Sequence, residues 1–390
     1  MPGLKALHII TGLGAGGAEQ QLRLLLRHLP LDCDVVTLTN PGQVAEGLTA
    51  DGVRVVHLGM SGNRDLSALP RLARLIRHGG YDLVHTHLYR ACVYGRIAAR
   101  LAGVRAVVAT EHSLGGTQLE GRALTSGMRA LYLASERLGR ATVAVSPTVA
   151  DRLRSWGVPE PRIEVVPNGI DVACFRFDPD RRERTRRRLG LPKDAYVVGG
   201  IGRLTAGKRF GVLIDALGRL PRDYMLLLVG SGPEENVLRR AAQRAGVTGR
   251  VLFTGEQPYE PDGTHALDLP SLTSAMDVLA SPSTEETFGL AAVEGLAAGL
   301  PVLYACCPAV EDLPPCLAAG AHRVRGDADA FARALAETRA RTGHDPSRPT
   351  DRPAPAAARH YCITRTAAQL MDVYAAAVSS PSPSPLGVIP

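Results

Sequence analysis

Short β-branched runs alternate with stretches of helical period from the first residues onward. LHII near residue 8, DVVTL near 34, VRVVHL near 53, DLVHTH near 82, AVVAT near 106, ATVAV near 141 and IEVV near 163 all have strand length. Between them apolar residues recur at three- and four-residue steps, as at Leu22, Leu25, Leu26 and Leu29, which is one face of a helix. Such alternation predicts βαβ units around a parallel sheet. A second series follows: VVGGI near 197, MLLLVG near 225, RVLFTG near 250, MDVLAS near 276 and PVLY near 301. Two doubly wound halves are expected, joined by the polar, Arg-rich stretch at residues 171–192. Beyond them Gly343 to Ala358 is rich in Pro and Arg and reads as a loop, Tyr361 to Val378 as an amphipathic helix, and SSPSPSPLGVIP as a disordered tail. The predicted organisation is therefore a first domain over 1–175, a second over 176–358, a terminal helix over 359–378 and a tail over 379–390.

Length agrees, since 390 residues make two domains at about 150 residues each. The fractions of 45% hydrophobic and 21% charged residues belong to an ordinary globular protein. No run of eighteen apolar residues occurs, and MPGLKALHII leads straight into a strand, so a cytoplasmic protein is expected. Seven scattered cysteines without a C-x-x-C spacing point to reduced thiols, with neither a disulfide framework nor a zinc site.

Charge adds little. Lys+Arg number 45 against 38 Asp+Glu, and only Lys5, Lys193 and Lys208 are lysines, a bias matching GC-rich coding. The run Arg181 to Arg188 reads as a solvated linker helix in preference to a nucleic-acid or membrane contact. Aromatic residues are 4% of the chain and are not interleaved with basic ones, so no nucleic-acid partner is expected. Arg122, Arg129, Arg137 and Arg140 flank apolar residues in one helical stretch; a solvated face is favoured there over weak peripheral membrane contact. No feature sets an oligomeric state.

Candidate chemistry sits in the turns. Gly12, Gly14 and Gly17 satisfy G-x-G-x-x-G, but the next strand ends at Thr37-Leu38-Thr39-Asn40 without the acid that a dinucleotide ribose needs. An oxidoreductase is thereby disfavoured. The glycines still permit backbone N–H groups and a helix N-terminus to approach an anion. In IGRLTAGKRF, Arg203 and Lys208 stand five residues apart after a strand, where a guanidinium fork and an ammonium suit a diphosphate. In SPSTEETFGLAAVEGLAAGLPVL, Glu286 and Glu294 are separated by seven residues, with Gly289 opening an apolar helix. The helix N-terminus suits a phosphate, Glu294 can accept from ribose hydroxyls, and Glu286 can lie against a sugar. A glycosidase pair is the alternative for two glutamates, but nothing fixes their separation across one bond.

These segments together resemble a retaining, GT-B-fold nucleotide-sugar glycosyltransferase of the GT4 family. The likeness runs from GAGGAE through DLVHTH, ATEHS, VSPTVADRL, VVPNGID, GRLTAGK, LLLVGSGPEE and VLFTGE to the paired glutamates. It implies two Rossmann-like domains facing across a cleft, with the C-terminal helix crossing back to the first. It implies roles as well: Gly16 and Gly17 near the diphosphate and acceptor, Arg203 and Lys208 on the leaving nucleoside diphosphate, and Glu294 on the ribose. Glu286 would contact donor-sugar hydroxyls, Phe288, Gly289 and Leu290 would complete the donor site, and His112 would be the active-site histidine. His85 and His87 become cleft-lining or structural residues, with a metal role as the alternative.

The implied reaction moves a sugar from a nucleoside diphosphate, UDP in the first instance, to an acceptor hydroxyl with retained anomeric configuration. Glycan assembly or natural-product glycosylation would use it. No metal or other cofactor is expected, because Asp32-Cys33-Asp34, Asp178-Pro179-Asp180 and Asp327-Ala328-Asp329 precede a strand, lie in the linker and cap a helix respectively. Gly169 in Pro167-Asn168-Gly169 is expected to give a hinge its backbone freedom. Two departures from the family pattern are QPYEPDGTHALDLP, longer than the usual connection near the nucleobase, and LYACCPAVEDLPP, where a Gly-rich turn is common. The alternatives are a GT-B-like epimerase or hydrolase, which turns over donor without acceptor, and a sugar-nucleotide-binding protein without catalysis.

Overall fold

The computed structural model describes residues 3–379 apart from positions 15, 63, 117, 121, 260–266, 343–351 and 353. The tail from 380 onward and most of the expected loop at 343–358 lie outside the described residues. The strands of the first half are β1 (Lys5–Gly12), β2 (Asp32–Asn40), β3 (Arg54–His57), β4 (Leu83–His87) and β5 (Ala106–Glu111). After the short pair β6 (Gln118–Leu119) and β7 (Arg122–Ala123) come β8 (Ala141–Ala144) and β9 (Ile163–Val165). The second half has β10 (Tyr196–Ile201), β11 (Tyr224–Val229), β12 (Val251–Phe253), β13 (Val278–Ser281), β14 (Val302–Tyr304) and β15 (Ala321–Arg323).

One parallel sheet has the order β3-β2-β1-β4-β5-β8-β9 and the other β12-β11-β10-β13-β14-β15. Each winds outward from its first strand in both directions. The switch points are therefore β1/β4 and β10/β13, and ligands of such sheets bind beyond the carboxyl ends of those strands. Strands β4, β5 and β11 are buried along their whole length, as helices on both faces of a parallel sheet require.

The chain crosses between the halves twice. Near Ile170 it leaves the first half, and near Tyr361 it returns. The two crossings are hydrogen-bonded together, the Ile170 N–H donating to the Tyr361 carbonyl at 2.7 Å and the Ile363 N–H to the Ile170 carbonyl at 3.0 Å. The helix Ile363–Ser379 then packs Leu370, Val373 and Tyr374 against Leu22, Leu25 and Ile10 of the first half. A Cβ on Gly169 would lie 2.6 Å from the Ile363 Cα. Glycine stands there for close approach of the returning helix, which corrects the expectation of backbone freedom.

The arginine run is not simply solvated. On the helix Pro179–Arg188, Arg182 donates to the carbonyls of Ser274, Ala275 and Met276 at 3.1, 3.1 and 2.8 Å and pairs with Asp277 at 2.6 Å. Arg186 meets the same carboxylate at 3.1 Å. One face of the run thus closes the end of the helix Leu269–Ala275. The expected helical stretch of four arginines also breaks up. Arg122 falls in β7 and only Arg129 lies within the helix Ser126–Glu136; its guanidinium donates to the carbonyls of Ser155 and Trp156. Asp32 opens β2 instead of preceding it, and Asp327 caps a helix by accepting from the Ala330 N–H at 2.9 Å. No helix among the described residues is long and apolar enough to cross a membrane.

Candidate active site

Two helix N-termini confront each other between the halves. After β1, Gly16 is the extended cap of the helix Gly17–Leu26 and offers no side chain of its own, but the Glu19 carboxyl folds back over this end, accepting from its own N–H and filling the space that a Cβ on Gly16 would need. After β13, Gly289 is the cap of the helix Leu290–Ala297, also without a side-chain cap. A Cβ on Gly17 would sit 3.3 Å from the Leu290 Cδ1, so the Leu290 side chain reaches the first turn of the other helix. Free N–H groups and the positive ends of two helix dipoles make that junction suited to a phosphate. Gly289 has a φ of +102°, and a Cβ there would lie 2.6 Å from the Cys307 Sγ. Only glycine fits both the dihedral and the space.

The cations come from the loop after β10. Arg203 is exposed, its carbonyl accepting from the Thr205 N–H at 2.8 Å. Lys208 ends the short turn Ala206–Lys208, and its Nζ lies 2.6 Å from the Glu286 Oε1. Glu294 is 3% exposed, with no side-chain partner among the described residues, and burial pushes its carboxyl from 4.5 up to about 8. A buried carboxyl left without a protein donor is poorly satisfied until hydroxyl groups arrive. Phe288 turns its ring away from any donor: it is buried and packs edge-on against Tyr361 at 5.0 Å. Only its backbone can serve a donor.

On the first half, His112 follows β5 and is part-buried, with Nε2 at 3.1 Å from the His87 Nδ1. His85 is spent on structure, bonded to the Tyr374 hydroxyl at 2.6 Å and to the Thr110 Oγ1 at 2.7 Å. Glu19, on the first helix, escaped the sequence reading although it lies in GAGGAE. Burial raises its carboxyl to about 7, against the pull of Arg203.

The halves are latched beside these groups. Thr287 Oγ1 donates to the His112 carbonyl at 2.7 Å, Ser146 Oγ to the Thr287 carbonyl at 2.7 Å, and Arg152 to the carbonyls of Leu114 and Glu286 at 2.8 and 3.3 Å. The partners that cross between the halves are more than a hundred residues apart and leave no local signal, and none of these bonds was foreseen. Of the two departures from the family pattern, the first brings Tyr259 edge-on to Phe175 at 5.5 Å, while residues 260–266 lie outside the described residues. The second places Cys307 under Gly289, and the Ala309 N–H donates to the Phe288 carbonyl at 2.8 Å. A separate groove of about 450 Å³, lined by Arg77, Tyr81, Arg105 and Arg140, opens at the opposite edge of the first sheet and contains none of the candidate residues.

Comparison with known proteins agrees with this division into halves. The model of Glycosyltransferase Family 4 matches residues 15–173 and that of Glycosyl transferases group 1 matches residues 181–340. The 2-deoxystreptamine glucosyltransferase of Streptomyces kanamyceticus is 31% identical over 248 residues, 60% of this chain and 62% of that protein. The D-inositol 3-phosphate glycosyltransferase of Salinispora arenicola is 32% identical over 339 residues, 78% of this chain and 71% of that one. The match thus spans less than two thirds of the first relative's length and somewhat more of the second's. Among solved structures, Anabaena HepE in complex with UDP-glucose has a TM-score of 0.82 at 22% identity, over 96% of this chain and 100% of that chain. Sucrose-phosphate synthase from Thermosynechococcus elongatus has a TM-score of 0.72 at 21% identity, over 95% of this chain and 98% of that one. With a family model on each half and relatives aligned across both, the chain belongs to glycosyltransferase family 4 and has the GT-B fold.

Proposed function

We propose that the protein transfers a hexose from a UDP-sugar to an acceptor hydroxyl with retention of configuration and without a metal ion. The observation that carries this reading is the approach of two glycine-capped helix N-termini, with the Leu290 side chain against Gly17, flanked by Arg203, Lys208 and the unpartnered Glu294, and with the Glu19 carboxyl, raised to about 7, over the first of them. A diphosphate between those ends gains N–H donors from both halves, so donor binding draws the halves together. Glu294 accepts from the ribose hydroxyls, and Arg203 and Lys208 stabilise the charge that grows on the departing phosphate. Glu286 and His112 hold the sugar.

In the proposed step the bond from the anomeric carbon to the phosphate oxygen breaks, and the acceptor oxygen bonds to that carbon on the same face. The acceptor proton passes to the departing phosphate oxygen, leaving a glycoside and UDP. Water kept out of the junction is water that cannot compete for the sugar. Relatives named for deoxystreptamine and inositol 3-phosphate make cyclitols the first acceptors to test.

The experiment is a screen of nucleotide sugars and cyclitols, followed by NMR of the first-formed product from an α-linked donor. An α-linkage is expected. A β-linkage overturns retention and makes His112 the general base, and donor turnover indifferent to any acceptor favours a hydrolase or epimerase.

A further inference from the structure

Three histidines from three elements stand in series beneath the junction. His8 on β1 is the cross-strand partner of His85 on β4, and His87 follows two residues along, on the same face. His8 Nδ1 lies 3.1 Å from His87 Nε2, and His87 Nδ1 lies 3.1 Å from His112 Nε2. Burial holds the imidazoles neutral, lowering His8 to about 3, His112 to about 4 and His87 well below its usual value. His85 is close, its ring 4.1 Å from that of His87, but both its nitrogens are engaged by Tyr374 and Thr110. The series therefore has three members.

A neutral imidazole carries one N–H, and each hydrogen bond in the series holds one proton. Two arrangements alone satisfy both bonds. Either every ring is protonated on Nδ1 and donation runs outward from His8 to His112, or every ring is protonated on Nε2 and donation runs inward. The rings cannot choose independently. The two ends differ: His8 Nε2 and His112 Nδ1 are both buried without a partner among the described residues, but His112 lines a cavity beside the Gln21 carboxamide that can admit an acceptor, so the bare nitrogen belongs at His8 and the N–H at His112.

We propose that His8, His87 and His112 form a tautomer relay, in which the interior His8, acting through His87, fixes His112 as an Nδ1–H donor at the substrate end. His8 and His87 are then positioning residues that touch no substrate. His112 Nδ1 has no partner among the described residues, and His112 lines a cavity of about 20 Å³ together with Gln21, whose carboxamide is equally unpartnered. In this tautomer His112 can hold a hydroxyl or phosphate oxygen but has no free nitrogen to take a proton. That consequence rests on the proposed transfer; the relay itself does not. Nitrogens of His8, His85 and His87 lie within 4.8 Å of one another, a spacing that also admits a metal ion, but only by breaking the bonds just described.

The test is two-bond ¹H–¹⁵N correlation on the ¹⁵N-histidine-labelled full chain at neutral pH, with single His→Gln variants for assignment. All three rings are expected in the Nδ1–H form, which free histidine disfavours. His8→Met supplies an acceptor that cannot donate, so His87 and His112 should both invert to Nε2–H, with kcat falling about tenfold, the worth of one misplaced hydrogen bond, and donor KM little changed. An Nε2–H or mixed pattern in the parent protein overturns the relay. So does an unchanged His112 tautomer in folded His8→Met, or loss of the pattern with one equivalent of Zn²⁺. Should His8→Met fail to fold, the parent pattern alone decides. Inversion without any change in kcat would leave the relay standing and remove His112 from the transfer step, so the two readings fail separately.

Discussion

The Lys208 ammonium and the Glu286 carboxylate lie 2.6 Å apart, so the cation assigned to the leaving phosphate and the acid assigned to the sugar hold each other in place. Removing either disturbs both. Lys208→Ala should lower kcat on the order of 10²- to 10³-fold, the usual loss for one donor aimed at developing charge. Glu286→Gln should lower kcat more than donor affinity, because its contact strengthens as positive charge grows on the sugar ring. Initial rates with calorimetric donor binding check both, and an unchanged kcat in Lys208→Ala removes that residue from the chemistry.

Glu294 makes stability depend on pH with a definite sign. Its carboxyl titrates at about 8 when folded against 4.5 ordinarily, so the folded state binds more protons between those values. The stabilisation is complete below the lower value and is lost as pH rises through the higher one. Thermal unfolding should therefore occur at progressively lower temperature from about pH 5 to 8, and Glu294→Gln should flatten that slope while weakening UDP binding. Binding of UDP by the parent protein near pH 7 should release a proton, seen as a dependence of the calorimetric heat on buffer ionisation. A slope untouched by the substitution would move its origin to Glu19 and Glu111, each of which is raised to about 7 by burial.

Gly289 predicts a partial rescue. Gly289→Ala meets two penalties, a positive φ and the Cys307 Sγ at 2.6 Å, and should lose donor affinity with a stability cost of about 1–3 kcal/mol. Adding Cys307→Ala removes the sulfur but not the dihedral strain. The double variant should therefore recover part of the melting temperature and not all of it; no recovery at all would mean that backbone strain alone decides.

Metal independence has a direct check. On the proposed reading Arg203, Lys208 and two helix ends supply the positive charge that a divalent ion would otherwise bring. Transfer should persist in excess EDTA, and activity abolished by the chelator and restored by Mg²⁺ or Mn²⁺ would contradict the proposal.

The fold was legible because its strands carry their own pattern. Buried β11 appears as an unbroken apolar run and β5 opens with one, while β4 keeps strand length despite its His85 and His87, and glycines mark the turns that follow β1 and β10. The candidate donor residues could be named because Arg203, Lys208, Glu286, Gly289 and Glu294 sit in two short segments, of which the structure joins Lys208 to Glu286. What escaped depends on distant partners. Arg182 and Arg186 looked solvated because Asp277, which receives both, lies more than ninety residues away. The contact of the Phe288 ring with Tyr361 likewise joins residues far apart in the chain. The histidine series was half visible: His85 and His87 share a strand face, but His8 joins them only through the pairing of β1 with β4.

The hydrogen bonds that tie Ile170 to Tyr361 and Ile363 make the connection between the halves a two-ply ribbon. A single tether lets two bodies swivel, whereas two bonded tethers lying side by side bend easily across their plane and resist torsion. The closure proposed for donor binding would thereby be confined to one swing, returning the ends at Gly17 and Leu290 to the same register. A protease that nicked either ply would leave the halves joined by the other, so the enzyme's alignment has a built-in redundancy that its length of chain alone would not suggest.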